Sequence, residues 1–319
     1  MARKALGPSA LAVVQAVERA AAGPMLVACS GGADSTALAL AAATVGRRRD
    51  VSARALIVDH GLQAGSDAVA QEAAGRLAAF GLPAEIVRVR VGNDTGEGVE
   101  AAARHARYAA LEAAARSGEA ILLGHTLDDQ AETVLLGLAR GSGPRSLAGM
   151  RAHRGVFIRP LLGVRAETTR QACREWGVGW WDDPHNDQTR FTRVRIRRRV
   201  LPVLEAELGP GVAEALARTA ALVAADTDYL DDLAGRLLPP RADGQPGDLD
   251  CAWLAGLAPA LRTRVLRDWL RMCGVRELTA AHVQAVEALV TDWHGQRGAD
   301  VPGVRVTRRA GRLIPSPMG

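Results

Sequence analysis

The hexapeptide Ser30-Gly31-Gly32-Ala33-Asp34-Ser35 constrains this chain more than any other stretch. An apolar run, residues 25–29, precedes it and reads as a buried strand; residues 36–43 follow and read as a helix. The six residues are therefore predicted to form a strand-to-helix turn. Two glycines let the backbone curl at no steric cost. The first N–H groups of the following helix lack partners and carry partial positive charge. Gly31, Gly32 and Ala33 would present backbone amides, and Ser30 and Ser35 hydroxyl donors, to a phosphate group. Asp34 sets a carboxylate beside that anion, an arrangement that makes sense with Mg²⁺ between them. A Walker loop is excluded, because the Gly-Lys-Ser/Thr ending is missing and Lys4 is the only lysine of the chain.

Strand-like apolar runs recur at 25–29, 55–59, 85–91 and 120–124, separated by helical stretches at 34–46, 66–80 and 98–117. An amphipathic helix over 9–22 precedes them. This alternation predicts an α/β domain, a doubly wound parallel sheet with right-handed crossovers. Ligands of such sheets bind at the carboxyl ends of the strands. The second strand ends in Val58-Asp59-His60-Gly61-Leu62, and its polar residues Asp59 and His60 follow the apolar run directly and should face the cleft. A glycine-rich loop over 92–98 leads into a helix carrying Glu100, Arg104 and Arg107 on one side. Glu100 and Arg104 suit an i,i+4 pair, whereas Arg104 or Arg107 turned inward suits a phosphate or substrate.

The fourth strand ends in Gly124-His125-Thr126-Leu127-Asp128-Asp129-Gln130-Ala131-Glu132-Thr133. A helix starting near Thr126 brings His125, Asp129 and Glu132 roughly onto one face. So many negative charges in one turn call for a cation, either Mg²⁺ or a substrate ammonium. Arg140-Gly141-Ser142-Gly143 opens a polar loop, 157–162 reads as a further strand and 165–176 as a helix. The turn Trp180-Trp181-Asp182-Asp183-Pro184-His185-Asn186 offers two large side chains best suited to packing. Residues 190–199 hold six arginines and continue into a helix to 204. On a regular helix Arg193 and Arg197 share a face and Arg195 points elsewhere, so the first two are the candidates for ATP or RNA phosphates.

Gly209-Pro210-Gly211 marks a domain break, giving units 1–210 and 211–319. The second should be mainly helical, with helices near 212–238, 259–273 and 279–292 and a basic hairpin over 304–314. Forty basic residues against 35 acidic ones give a net charge of +5, a mild excess that suits a polyanionic partner. The four cysteines are scattered, with no C-x-x-C pair, which fits a reducing cytoplasm and argues against zinc or iron–sulfur sites of that type. No run approaches the ~18 apolar residues of a membrane span.

SGG-x-DS resembles the PP-loop of the ATP pyrophosphatases, which have the adenine nucleotide alpha hydrolase-like fold and cleave ATP between its α and β phosphates. Together with VDHGL, GHTLDDQAET, RGSG, and D-P-x-N followed by F-x-R-x-R-I-R, the set closely resembles the tRNA(Ile)-lysidine synthetase family over residues 25 to 206. Val194 stands where the family usually has Asn. The carboxyl-terminal part more weakly resembles the short tRNA-binding domain of compact members. The resemblance implies a two-step ligase using ATP and Mg²⁺. C2–O of the wobble cytidine in the CAU anticodon of tRNA(Ile) is adenylated, and the ε-amine of free L-lysine then displaces AMP. It implies nucleotide contacts at Ser30–Ser35, Val58, His60 and Arg104, Mg²⁺ at Asp34 and Asp129, and catalytic work by Asp34, His125, Asp129, Glu132, Arg193 and Arg197. Which carboxylate binds lysine and which group takes its proton stay open, as does assembly into a homodimer. Two rivals stay open as well: a PP-loop tRNA thiolase, and a nucleotide-binding module without catalysis.

Overall fold

The computed structural model describes residues 5–61, 65–89, 99–141, 143–183, 189–238 and 247–318. Two compact units divide within one long helix, between Ala221 and Leu222. The first opens with α1 (Pro8–Ala20), β1 (Met25–Ala28), α2 (Ala33–Arg49), β2 (Ala53–Asp59), α3 (Ser66–Ala79), β3 (Ala84–Arg88), α4 (Val99–Ala114) and β4 (Ala120–Leu123). The expected strand–helix alternation is thus present. Next come α5 (Leu127–Ala139), α6 (Pro144–Leu147), β5 (His153–Arg154), β6 (Phe157–Ile158) and α7 (Ala166–Trp176).

The six strands form one sheet in the order β3-β2-β1-β4-β6-β5, parallel except for the β5–β6 pair. Every residue of β1 is buried, because helices cover both faces. Met25 and Val27 join the core built with α1, α2 and α7; Leu26 and Ala28 join the opposite one, where Leu111 of α4 packs. This is the two-sided burial that a central parallel strand demands. Chain direction across the sheet reverses between β1 and β4, so a crevice opens at their carboxyl ends. The strand expected over 157–162 is only Phe157–Ile158, since Pro160 has no N–H for the ladder.

The basic segment runs from α8 (Thr192–Arg195) through a π-helical stretch (Ile196–Val200) into α9 (Leu201–Leu208), followed by α10 (Val212–Leu237). Leu201 N–H bonds back to the Ile196 carbonyl, five residues earlier. A π-helical stretch re-aims the side chains after it relative to a regular helix.

The second unit contains the last part of α10, then β7 (Leu249–Asp250), α11 (Cys251–Gly256), α12 (Pro259–Met272), α13 (Ala280–Thr291), β8 (Ala299–Val301), β9 (Val304–Arg309) and β10 (Arg312–Pro317). The expected hairpin is β9–β10, and it forms the middle of an antiparallel sheet ordered β7-β10-β9-β8. Trp269, Leu266 and Val286 of the helices pack with Val306 and Leu313 of that hairpin.

Candidate active site

The turn after β1 is built as its residue types dictate. Gly31 takes φ +84°, a left-handed conformation that a side chain would strain. Ser35 Oγ accepts from Ser30 N–H at 3.1 Å and donates to the Gly32 carbonyl at 3.0 Å, closing the loop on itself. Ser30 Oγ lies 3.2 Å from Ser35 Oγ. The loop is also held from outside: Trp181 N–H donates to the Gly31 carbonyl at 2.9 Å. Gly124 at the end of β4 lies so close that a Cβ there would sit 3.1 Å from the Ser35 backbone. A side chain there would crowd the end of β4 against the first turn of α2.

Two cavities adjoin the loop. A largely apolar one of about 530 Å³ is lined by Cys29, Leu56, Val58, His60, Val69 and Trp181 among others. A polar one of about 790 Å³ is lined by Ser30, Gly32, Ala33, Asp34, Ser35, Gly124, His125, Asp129, Arg170, Arg197 and Arg198 among others. Arg107 borders both. Burial depresses its guanidinium, with Arg104 adding repulsion, so it is a cation that would gain from a bound anion. Arg104 borders neither cavity; it is exposed and folds over the Tyr108 ring at 5.1 Å. The side chain of Glu100, its expected pair partner, lies outside the described residues, as do Leu62, the loop 92–98, Ser142, Pro184, His185 and Asn186.

The acidic turn at the start of α5 divides its labour. Asp129 completes a capping box: its Oδ2 accepts from Thr126 N–H at 2.8 Å, and its Oδ1 accepts from Arg197 Nη2 at 3.1 Å. Asp128 faces away and binds Arg165 and the Ala166 N–H, while Arg165 also reaches Glu205 and Glu214. Glu132 is wholly buried and does not line the cavity; its Oε1 accepts from Arg197 Nε at 2.6 Å. Its Oε2 has no hydrogen-bond partner among the described residues.

Burial raises the Asp34 carboxyl to about 6, with the Asp129 charge adding to the effect and the Thr169 hydrogen bond opposing it. Burial likewise raises Glu132 to about 6, against the pull of Arg197. His125 is pushed down to about 4 by burial, so it is neutral at physiological pH. The Nδ1 atoms of His125 and His60 are buried without partners among the described residues. Thr169 Oγ1 donates both to Asp34 Oδ1 and, at 2.6 Å, to the Ala166 carbonyl. One hydroxyl proton serves only one of them at a time, and a protonated Asp34 satisfies both contacts.

Of the expected basic residues, Arg197 turns in to the cavity and Arg193 stays exposed. Arg198, in the same π-helical stretch, lines the cavity with Arg197. Val194 is buried. Arg170 and Thr169, on α7, meet the loop although nothing in the sequence around them announces it.

A PP-loop domain model matches residues 9–204, and a TilS substrate binding domain model matches residues 249–314. The chain is 53% identical to the tRNA(Ile)-lysidine synthase of Salinispora arenicola over 97% of each chain. It belongs to the tRNA(Ile)-lysidine synthase family. The synthase of that name from Leifsonia xyli is 52% identical, covering 91% of this chain and 88% of its own. Among solved structures, the U34-tRNA thiolase NcsA from Methanococcus maripaludis shares the fold, with a TM-score of 0.52 at 16% identity, over 68% of this chain and 80% of that one. Membership makes the chain an ATP-using enzyme. Among the described residues no helix is long and apolar enough to cross a membrane.

Proposed function

We infer that the protein joins the ε-amine of L-lysine to C2 of the wobble cytidine in the CAU anticodon of tRNA(Ile), consuming ATP and releasing AMP and pyrophosphate. The observation that carries this reading is the convergence of a phosphate-binding turn, Asp34, Asp129 and four arginines on one crevice, in a chain of this family. In the first step the C2 oxygen bonds to the α-phosphorus and pyrophosphate leaves with the electron pair of the broken P–O bond. In the second the amine attacks C2 and AMP departs.

The apolar cavity beside Val58 and His60 suits the adenosine, and the turn suits the outer phosphates. Arg107, at the border of the two cavities, is where the α-phosphate belongs; a fixed guanidinium stabilises the charge developing there. Arg197 is held by Asp129 and Glu132, which fixes its fork at the cavity wall. Glu132 therefore acts through Arg197, which leaves Asp129 as the α5 carboxylate that lines the cavity. His125, being neutral, offers a hydrogen bond rather than charge.

Asp34 and Asp129 fit Mg²⁺: the Asp129 charge raises the cost of ionising Asp34, and both carboxylates line the phosphate cavity. Mg²⁺ is usually held by one or two carboxylates together with substrate phosphates. When bound, it would neutralise phosphate charge. The thiolase alternative fares worse, because burial raises the Cys29 thiol and raises Cys173 to about 12, away from the thiolate that sulfur transfer uses. A cytoplasmic location follows from the reaction proposed. The test is transfer of label from α-labelled ATP to a tRNA(Ile) transcript without lysine: a labelled, lysine-sensitive RNA is expected, and ATP hydrolysis without RNA labelling would contradict the reading.

A further inference from the structure

We propose that Arg170 holds the departing pyrophosphate. This rests on the ligase reading above and adds a residue from α7 to the phosphate side of the site. Arg170 lines the polar cavity together with Ser30, Gly32, Asp34 and Ser35, the loop that would cradle the outer phosphates. The preceding residue, Thr169, bonds Asp34, and the Arg170 charge favours the ionised Asp34 carboxylate across the cavity they both line. Among the described residues the one ion pair of Arg170 is a 3.9 Å contact with Glu167, itself 70% exposed, so no internal carboxylate consumes the charge. The side chain is 40% exposed, open enough to meet a ligand.

Arg170 therefore differs from Arg197, whose fork is committed to Asp129 and Glu132. It differs also from Arg107, which stands at the adenosine border. As the P–O bond to the β-phosphate breaks, the bridging oxygen takes the electron pair and charge grows on pyrophosphate. A guanidinium can meet that charge with two parallel N–H bonds. Thr169, one residue earlier, holds Asp34 from the same helix turn, so α7 positions both groups.

The test is calorimetric titration of the full-length chain with inorganic pyrophosphate and, separately, with AMP, each in Mg²⁺ buffer. Arg170→Ala should weaken pyrophosphate about tenfold or more, the usual loss for one charge-assisted contact, while leaving AMP within about twofold. Arg170→Lys should recover part of the loss. The Mg²⁺ concentration giving half-maximal adenylation should not change in Arg170→Ala. Equal affinity of Arg170→Ala and the parent for pyrophosphate would overturn the inference and leave the ligase reading intact. Parallel weakening of AMP, or a shifted Mg²⁺ midpoint, would overturn it in favour of a role exerted through Asp34. Failure of the unsubstituted protein to bind either ligand would overturn the phosphate site itself.

Discussion

Arg197 Nε lies 2.6 Å from Glu132 Oε1, and that carboxylate is wholly buried behind it. A long cationic side chain at the cavity wall is thereby fixed from below, with Asp129 Oδ1 at 3.1 Å as its second anchor. Removing the anchor should leave Arg197 present but mobile. Glu132→Gln is expected to leave stability close to that of the parent near neutral pH, because burial disfavours the carboxylate it removes while the ion pair with the half-exposed Arg197 is lost. Thermal unfolding checks the stability. Single-turnover adenylation should slow with ATP affinity little changed; unaltered adenylation would place the Arg197 contact outside the reaction.

The π-helical stretch gives a second expectation. Arg197→Ala should slow adenylation by about 100-fold, the scale of a lost transition-state donor. Arg193→Ala, at an exposed position, should act mainly on tRNA affinity. Rates at several tRNA concentrations separate the two. Equal effects on rate at saturating tRNA would mean that the segment works as a regular helix with both residues inward.

Asp34 yields a pH test. Its carboxyl sits at about 6, above its ordinary 3.8, chiefly through burial. The fold therefore favours the protonated form. This contribution to stability is complete below 3.8 and is lost as pH rises through about 6. In metal-free buffer the stability advantage of Asp34→Asn over the parent should accordingly grow as pH rises from 5 to 7.5. Mg²⁺ should stabilise the parent and not the variant, and Asp34→Ala should lose pyrophosphate release while keeping its far-ultraviolet circular dichroism. An advantage that shrinks with rising pH would contradict the burial account.

Much of this was legible in the sequence, and the remainder had physical causes for its silence. The loop, the four central strands and their helices announce themselves by local periodicity and by residues whose types admit few conformations. Arg107 and Arg104 are three apart on one helix, and only packing against Tyr108 separates the inward one from the outward. Arg197 and Arg198 line the cavity while Arg193 is exposed, its charge still reaching Glu132, and a π-helical stretch over Ile196–Val200 interrupts the regular period between them. Glu132 satisfies the face rule yet lies beneath the cavity, since helical spacing gives direction and not depth. Thr169 meets Asp34 across more than 130 positions of sequence, and Arg170 lines the same cavity, a neighbourhood that no local pattern records. In the second unit the short strands β7 and β8 carry too few residues for alternation to show.

On the second unit, Arg305 and Arg309 are exposed on β9, in the stretch matched by the substrate binding domain. Arg305→Ala and Arg309→Ala should each weaken tRNA binding, leave ATP affinity unchanged and lower the salt slope by about one per lost phosphate contact. Filter binding across a salt series measures this. A slope equal to that of the parent would remove these side chains from the RNA footprint.

The central claim is tested most directly by incubating the protein with ATP, Mg²⁺, radiolabelled lysine and tRNA(Ile) transcripts that differ only in the anticodon. Lysine should enter the CAU transcript, one per RNA, with AMP and pyrophosphate released in equal amount, and should not enter a transcript whose wobble cytidine is replaced. No lysine in the CAU transcript, or equal incorporation into both, would contradict the account.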